Sequence, residues 1–342
     1  MKLKEMMGKS RWISSLIFLV ALFLIVGSIN SSFLTAESVI SCLNNSVVYM
    51  LLAVGIAFVI LCGEIDVSIG ATMGLAAAMA GTMAQSNQSW AMMVVYALVL
   101  GVVIGLFNGI GVSVLGIPSL IFTLGTSGIL RGVIYIYSGG RTIENFAGDF
   151  TAFNNASIFS GITWYFTVAL VIVLVIHFIL TYSKRGKYFI AVGDNINGAI
   201  LVGLPAKKTK ILAYIISGCF AAFAGIIFAS KYGQVNIVAG TGYEMSAIAA
   251  CVIGGISLTG GLGDVIGAMI GAIIMSSITK ILVFLGLSSD FNNTITGVML
   301  ITIVVIDALT QRRATENARR KRLAARISDG SSAQPLDGEV AK

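Results

Sequence analysis

Charged side chains are scarce in this chain of 342 residues: Asp, Glu, Lys and Arg together make up 11%, whereas 57% of the residues are apolar. Soluble domains carry a charge on about a quarter of their residues. The composition therefore excludes an ordinary soluble protein and indicates a membrane protein.

Histidine and cysteine are also rare, which excludes several kinds of site. The single histidine is His177, and the four cysteines, Cys42, Cys62, Cys219 and Cys251, show no Cys-x-x-Cys spacing. A zinc site or a disulfide framework needs clustered ligands, so we interpret the cysteines as small buried hydrophobic residues. His177 lies alone in an apolar stretch, where a hydrogen-bonded core position is favoured over a metal ligand.

Motifs for catalysis are missing as well. The sequence contains no Ser-His-Asp set, no metal-binding cluster and no complete ATP-binding loop. We therefore expect no enzyme activity and no cofactor bound by this chain.

Long apolar runs are abundant. A spanning helix needs about 20 mostly apolar residues. By that rule the candidate membrane segments, of which the third and eighth are Gly-rich or short, are 13–29, 38–61, 67–84, 90–115, 119–138, 162–182, 211–230, 244–257, 264–286 and 292–309. The predicted fold is an all-α polytopic membrane protein with about ten transmembrane or re-entrant helices, and the transmembrane domain covers residues 1–310.

Positive charge is concentrated beside these runs. Of 22 Lys and Arg residues, 18 lie within 1–11, 183–210 and 311–342, a distribution that argues against nucleic-acid binding as the reason for the net charge of +7. Basic segments beside apolar spans stay on the cytoplasmic side. Both termini and the 183–210 loop are therefore predicted to be cytoplasmic, and the 139–161 loop extracytoplasmic. Residues 311–342 are predicted to form a basic cytoplasmic tail whose end is disordered.

The longest polar interruption is the segment 183–210, SKRGKYFIAVGDNINGAILVGLPAKKTK. Its middle part, 195–202, is mildly apolar and compatible with a helix. Asn195 can cap the start of that helix, and Gly203 with Pro205 can end it. We predict a short surface helix that offers a small apolar face to a soluble partner. The alternative is a solvated linker that carries only topology charge.

Two short stretches resemble each other. GEIDVSIG at 63–70 and GGISLTGG at 254–261 each follow an apolar run and precede a Gly-spaced apolar run. Weak internal similarity with Gly-interrupted apolar segments in both halves is typical of a transport pathway. The sequence therefore predicts two weakly similar halves, with chance resemblance as the alternative.

Glu64 and Asp66 lie in the first of these stretches. A carboxylate that faces lipid at mid-bilayer costs about 2.5–3.5 kcal/mol. Both residues must therefore lie at an interface, in a polar cavity or against a partner. Two roles are open: lining a gate or pathway and, favoured for Asp66, capping a helix that begins near Val67.

Other polar side chains within apolar segments extend this set. The predicted translocation-pathway residues are Glu64, Asp66, Ser68, Asn108, Thr123 and Glu244. Glu244 opens a predicted helix, so a capping or interfacial position is the favoured role for it, with pathway lining as the alternative. Arg131 and Lys280 need partners for their charges, and Lys280 is long enough to reach the membrane surface instead.

Glycines recur at four-residue spacing in three apolar segments. This spacing lets helix backbones approach closely within a membrane, so packing is the predicted role. The series are Gly70/Gly74, Gly101/Gly105/Gly109 and Gly263/Gly267/Gly271.

Several ordered motifs together resemble the ribose-type permeases of bacterial ABC importers, which take up carbohydrates. Residues 63–70 are similar to the family signature GGIDLSVG, and residues 117–126, IPSLIFTLGT, match a second block. Residues 249–263 resemble the family's AAVVIGG…GGxG run. In the central loop the family pattern falls on Arg185, Ala191, Gly193, Asn195, Ala199 and Gly203. The resemblance extends from about residue 38 to 309.

This resemblance implies a multi-pass permease subunit in the bacterial inner membrane. It implies pairing with a second permease subunit, identical or related, with ATP-binding subunits and with a periplasmic solute-binding protein. ATP and Mg²⁺ would be bound by the partner subunits, and the loop that docks onto the ATPase would include Arg185, Gly193, Asn195, Ala199 and Gly203. The expected cargo is a sugar or a related small polar solute, such as an autoinducer.

Two departures from the family pattern bear on the cargo. Glu64 replaces a glycine of the signature, and Thr279-Lys280 stand where the family often has Asn-Gly. Two other classes of function remain open from the sequence. An ion-gradient-driven secondary transporter would move protons through Glu64, Asp66 or Glu244, and a structural or signalling membrane protein would carry no solute.

Overall fold

The computed structural model describes residues 12–152, 156–159, 161–288, 291–292, 294–302 and 304–305, together with residues 309 and 316. Its α-helices, in chain order, are α1 (Trp12–Ile29), α2 (Ala36–Asn45), α3 (Val47–Leu61), α4 (Ile69–Gln85), α5 (Trp90–Ser113), α6 (Ser119–Ser138), α7 (Gly148–Ala152), α8 (Trp164–Tyr182), α9 (Lys184–Asp194), α10 (Ile196–Leu201), α11 (Ala206–Tyr232), α12 (Tyr243–Ile253) and α13 (Val265–Phe284). A 3-10 helix at Ser31–Leu34 joins α1 to α2. Strands β1 (Ser157–Phe159) and β2 (Ile162–Thr163) form a small antiparallel hairpin that the hydropathy pattern does not predict.

The apolar runs account for almost all of the long helices, which confirms an all-α polytopic membrane protein. Helices α1, α5, α6, α8, α11 and α13 are long and apolar enough to cross a bilayer, and α2 with α3 forms a further candidate span, bent by 44°. The predicted segments 67–84 and 244–257 correspond to α4 and α12, which have 17 and 11 residues. Both are largely buried, which is how helices shorter than about 20 residues are accommodated within a bilayer. The predicted segment 292–309 lies only partly within the described residues.

Helices α3 and α11 form the centre of the bundle. Helix α11 packs against α3, α4 and α5, and α3 packs in addition against α12 and α13. Nearly every residue of α3 is buried, which explains why its sequence, VVYMLLAVGIAFVIL, is apolar on all sides. Each interrupted stretch follows a largely buried apolar helix, α3 or α12, and precedes another helix, α4 or α13.

Regularly spaced glycines lie where helices cross, as predicted. An alanine Cβ at Gly101 of α5 would meet Cys219 Cα of α11 at 2.7 Å, and one at Gly105 would meet Ile215 Cα at 2.6 Å. The two backbones are therefore in direct contact along this crossing. Within a bilayer, where no hydrophobic force drives helices together, such contact supplies the van der Waals packing.

Asn44 joins the bend between α2 and α3 to the hairpin. Its side chain accepts hydrogen bonds from Thr163 N at 3.0 Å and Thr163 Oγ1 at 3.1 Å, and it donates to Gly161 O at 2.8 Å. An antiparallel bridge between Ile143 and Val235 links the 139–161 segment to the chain that follows α11. These loops therefore hold one another through hydrogen bonds.

Isolated polar side chains of the apolar segments have protein partners. Lys280 donates to Ser38 O at 3.0 Å, and the alternative that it reaches the membrane surface stays a prediction. His177 Nδ1 and Asp264 Oδ1 are 2.8 Å apart, so the histidine is hydrogen-bonded as predicted, although it is only partly buried. All four cysteines are free thiols, three of them buried and Cys219 partly buried.

Residues 1–300 are assigned to one compact unit, and Ile301–Lys342 to a second. In the second unit the structure describes residues 301–302, 304–305, 309 and 316. The predicted boundary at residue 310 and the predicted basic tail, 311–342, therefore lie almost entirely outside the described residues and stay predictions.

Candidate transport and coupling site

The interrupted stretch 63–70 forms an irregular turn between α3 and α4. Helix α3 ends at Leu61 and α4 begins at Ile69, so residues 62–68 lie outside regular helix. Gly63 has a φ of +76°, which residues with a side chain rarely adopt. A turn of this kind leaves backbone groups that need hydrogen-bond partners inside the protein.

Asp66 is the centre of the polar contacts in this turn and is 2% exposed. Its Oδ1 accepts hydrogen bonds from Ser68 N at 3.0 Å and Ser68 Oγ at 2.6 Å, and its Oδ2 accepts one from Ser217 Oγ of α11 at 2.8 Å. Helix α4 begins at Ile69 and not near Val67, and its N-cap residue is Ser68, so the capping role favoured for Asp66 stays a prediction. Both carboxylate oxygens have donors, as a buried carboxylate requires.

Asn108 extends these contacts to α5 and α6. Its Nδ2 donates to Ser68 Oγ at 2.8 Å, and its Oδ1 accepts from Thr126 Oγ1 at 2.7 Å. Asn108 is 1% exposed, so both ends of the amide are satisfied within the protein. One side chain therefore connects three helices through the turn.

The backbone of the turn is held from α6 and α11. Val67 N donates to Thr123 Oγ1 at 3.1 Å, and Ile65 N donates to Ser119 Oγ at 3.3 Å. On the other side, Tyr214 OH donates to Ile65 O at 3.3 Å. Hydroxyl groups thus replace the helical hydrogen bonds that the interruption removes.

Glu64 forms an ion pair with Lys210 at the start of α11. The distance from Glu64 Oε1 to Lys210 Nζ is 2.5 Å, and each side chain is 16% exposed. From sequence alone, Lys210 has only a topology role. The structure makes it the partner of the charge by which this chain departs from the family signature.

The predicted pathway residues therefore divide into two places. Glu64, Asp66, Ser68, Asn108 and Thr123 lie around one turn, and we call them the polar cluster. In this conformation most of the polar cluster is buried and hydrogen-bonded internally, and its role as a pathway lining stays a prediction.

Glu244 lies in the first turn of α12, beside Gly70 at the end of the first interrupted stretch, and makes none of the hydrogen bonds of the polar cluster. Its Oε1 accepts a hydrogen bond from Gly242 N at 3.2 Å, which fits the capping role. Its Oε2 is buried near Gly70 and has no hydrogen-bond partner among the described residues. Arg131 interacts electrostatically with Glu244 and donates to Ala239 O. The charged side chains of Arg131 in α6 and Glu244 in α12 thus lie near each other.

Sequence reasoning missed several members of this site. One is Lys210. The others carry a hydroxyl group on a long helix, and they are Ser119, Thr126, Tyr214 and Ser217. Isolated polar residues in apolar runs are the signal that points to such positions.

The 183–210 loop folds into two short helices, α9 and α10. Asn195 Oδ1 accepts from Gly198 N at 2.8 Å, which caps α10, and Gly203 ends it with a φ of +79°. The predicted short helix and both of its boundaries are confirmed. Arg185 lies near the start of α9 and is exposed.

Helix α10 presents apolar side chains to the outside. Leu201 is 87% exposed, Val202 75% and Ile200 56%. On the opposite side, Ala199 packs with Val192 in a small buried cluster that fixes the helix to α9. The helix is thus anchored by one face and leaves an apolar surface without a partner, which we call the exposed α10 face.

A cavity of about 420 Å³ lies near the other ends of α4, α5 and α6. It is lined by neutral side chains, namely Met79, Thr82, Met83, Ser86, Gln88, Met92, Tyr96 and Tyr137. The lining residues of α4 begin at Met79, ten residues after the helix starts, so the cavity begins about 15 Å along α4 from the polar cluster.

Comparison of the sequence with known proteins identifies a family for this chain. The family described as the permease component of the branched-chain amino acid transport system matches residues 38–304. This chain belongs to that family. Its similar relatives include the autoinducer 2 import system permease protein LsrC of Salmonella typhi, which is 37% identical over 97% of this chain and 94% of the relative. LsrC of Escherichia coli K12 is 34% identical over 95% of each chain. No solved structure matches.

The family assignment makes this chain a transport permease subunit with several membrane-crossing helices. It agrees with the resemblance to ribose-type ABC permeases and covers both the polar cluster and the 183–210 loop.

Proposed function

We propose that this chain is the membrane-spanning permease subunit of an ABC importer, driven by ATP hydrolysis on separate ATPase subunits. The observation that carries the proposal is the exposed α10 face, which offers Ile200, Leu201 and Val202 to a partner at the basic end of the molecule. Apolar side chains anchored on a rigid helix are the usual centre of a protein–protein contact. ATP and Mg²⁺ belong to the partner subunits in this scheme.

The proposed orientation follows from charge. The 183–210 loop carries six Lys or Arg residues, and basic segments beside spans remain cytoplasmic. The exposed α10 face is then accessible to a cytoplasmic ATPase, and both termini lie on the same side. The neutral cavity lies toward the periplasm, where a solute-binding protein delivers cargo.

The proposed mechanism uses this geometry. Closure of two ATPase subunits around ATP pulls on α10, and the movement switches a pathway between this permease and a second, identical or related, permease from outward-facing to inward-facing. This chain contributes the pathway wall and the contact with the ATPase.

The proposed cargo is a small, uncharged, oxygen-rich solute, either a sugar or a sugar-like molecule of the autoinducer 2 type. Two observations support it. The relatives are named as autoinducer 2 import permeases, and the cavity is lined by hydroxyl, amide, thioether and phenol groups with no charged residue. Such groups bind neutral polar solutes by hydrogen bonds without trapping an ion.

The deciding experiment is co-purification of the permease with its ATPase. Leu201→Glu places a charge at the centre of the exposed α10 face. Full burial of one leucine contributes about 1.5–3 kcal/mol, so its loss lowers ATPase recovery about tenfold or more. Recovery of the ATPase at the wild-type ratio would overturn the proposed docking role.

Leu287→Glu is the matched control. Leu287 is 49% exposed and lies just after the end of α13. Because α13 is 20 residues long, this position is about 30 Å from the first residue of that helix. ATPase recovery with this variant is expected to equal that of the wild type.

One observation favours an alternative to the ABC importer, namely a transporter driven by an ion gradient. Glu244 Oε2 is buried without a hydrogen-bond partner among the described residues. Within the polar cluster, both oxygens of Asp66 have donors and Glu64 has its lysine, which argues against proton cycling there. The alternative predicts solute uptake by the chain alone in liposomes under a pH gradient. The proposed function predicts none.

A further inference from the structure

Three backbone segments from distant parts of the sequence meet at one point. They are residues 61–63 at the end of α3, residues 193–194 at the end of α9, and residues 260–261 in the second interrupted stretch. Gly261 N donates a hydrogen bond to Leu61 O at 3.0 Å. The coupling loop and both interrupted stretches therefore share a junction, which we call the glycine junction.

The glycine junction has no room for a side chain. A Cβ at Gly193 would collide with Leu61 O and would lie 2.6 Å from Gly261 N. A Cβ at Gly260 would lie 2.7 Å from Gly63 N and 3.0 Å from Gly193 Cα. A Cβ at Gly261 would likewise lie 2.6 Å from Asp194 Cα. Contacts below 3.0 Å are essentially never made by real Cβ atoms, so Gly193, Gly260 and Gly261 are required by close approach.

Backbone conformation gives the same result independently. Gly63, Gly260 and Gly261 have φ values of +76°, +85° and +74°. Gly193 lies within α9, so its requirement is steric alone. Substitution of Gly193 therefore tests the contact without adding backbone strain.

We infer that the glycine junction makes the coupling loop and both interrupted turns move as one body, and that Gly193 is the positioning residue of this connection. Side chains can absorb a displacement by changing rotamer, but backbones in contact cannot, so close-packed contacts transmit movement directly. A pull on α10 then reaches the turn before α4 and the turn before α13 together. This inference depends on the proposed function.

Two further contacts join the same segments. Phe58 of α3 and Phe189 of α9 pack edge to face with ring centroids 5.0 Å apart. The Glu64–Lys210 pair connects the first turn to the start of α11, where the loop ends. The loop is thus attached to the first turn on both sides of α10.

The first test is Gly193→Ala in the complete transporter, compared with Gly148→Ala. A Cβ at Gly148 meets nothing within 4 Å, so this control makes the same chemical change in open space. Gly193→Ala is expected to reduce solute uptake by at least tenfold and to uncouple ATP hydrolysis from solute-loaded binding protein. ATPase recovery on co-purification is expected to stay at the wild-type level, because the exposed α10 face is unchanged.

Each of the other possible results refutes either this inference or the proposed function. Wild-type uptake by Gly193→Ala refutes the inference. Loss of ATPase recovery in this variant also refutes it, since Gly193 would then act in docking. Failure of the wild-type chain to bind any ATPase refutes the proposed function itself.

A second test decides the matter even if Gly193→Ala fails to fold. Asp194, at the glycine junction, is exposed, and Leu262, which follows Gly261, is 44% exposed, so thiols at both positions would be accessible to reagent. In a background without native cysteines, Asp194→Cys and Leu262→Cys are joined by a short bifunctional methanethiosulfonate. If the segments move as one body, uptake stays within about twofold of the uncrosslinked level. Loss of uptake that a reductant restores would show that the loop slides past the second turn.

Discussion

The Glu64–Lys210 ion pair offers the sharpest quantitative prediction. Removing one partner of an exposed pair costs about 0.2–1 kcal/mol, and of a fully buried pair about 3–5 kcal/mol. Each side chain here is 16% exposed and the charged atoms are 2.5 Å apart. We therefore expect Glu64→Gln or Lys210→Met alone to lower the free energy of unfolding by about 1–3 kcal/mol.

A double-mutant cycle separates the pair from the single losses. Unfolding by SDS titration in mixed micelles gives the free energy of unfolding for the wild type, both single variants and the double variant. The double variant leaves no unpaired charge. Its decrease in the free energy of unfolding should therefore be smaller than the sum of the two single decreases by about 1–2 kcal/mol. Added salt should change this coupling little, because the pair is mostly shielded from solvent.

The result that contradicts this reasoning is additivity. If the two single losses sum to the double loss within about 0.3 kcal/mol, the residues do not interact in the folded protein. Glu64 would then be a charge exposed to water or to a solute, and the pathway role predicted for it would gain support.

Two further substitutions test the hydrogen-bond network and the helix packing. Asn108→Leu removes the amide that binds Ser68, and it should lower the free energy of unfolding by about 1–3 kcal/mol in the same SDS titration; Asn45→Leu, at an exposed position, is the control. Gly105→Val places a side chain against the backbone of α11 and should greatly reduce the yield of monodisperse protein in size-exclusion chromatography. Gly132→Val, where a Cβ meets nothing within 4 Å, should not.

Each of these two predictions has a clear failure. Equal stability of Asn108→Leu and its control would mean that the amide does not brace the turn. Equal yields for the two glycine variants would mean that α5 and α11 do not pack backbone to backbone in the folded protein.

The sequence predicted those features that depend on local pattern. Nine of the ten apolar runs correspond to helices of the structure, because a bilayer admits few alternatives to helical backbone. The α10 helix was predicted with both boundaries because Asn195 and Gly203 are strong cap residues. Glycine spacing correctly indicated close helix crossings, although it did not identify which helices cross.

Features that depend on tertiary contact were beyond the sequence. Nothing in the order of residues indicates that Lys210 reaches Glu64, or that Gly193 meets Gly260. Asp66 and Asn108 were identified because a buried polar group in an apolar segment must have a partner, but the partners come from other helices. The hairpin at residues 157–163 has no alternating pattern long enough to be recognised.

Asn44 has a consequence for the bend between α2 and α3. The 44° bend has the geometry of a hinge, yet the adjacent side chain is bound to the hairpin by three hydrogen bonds. A change in the angle between these two helices would first have to break those bonds, so the hairpin braces the corner. In the proposed importer, where this end faces the periplasm, a solute-binding protein would therefore meet an edge of constant shape.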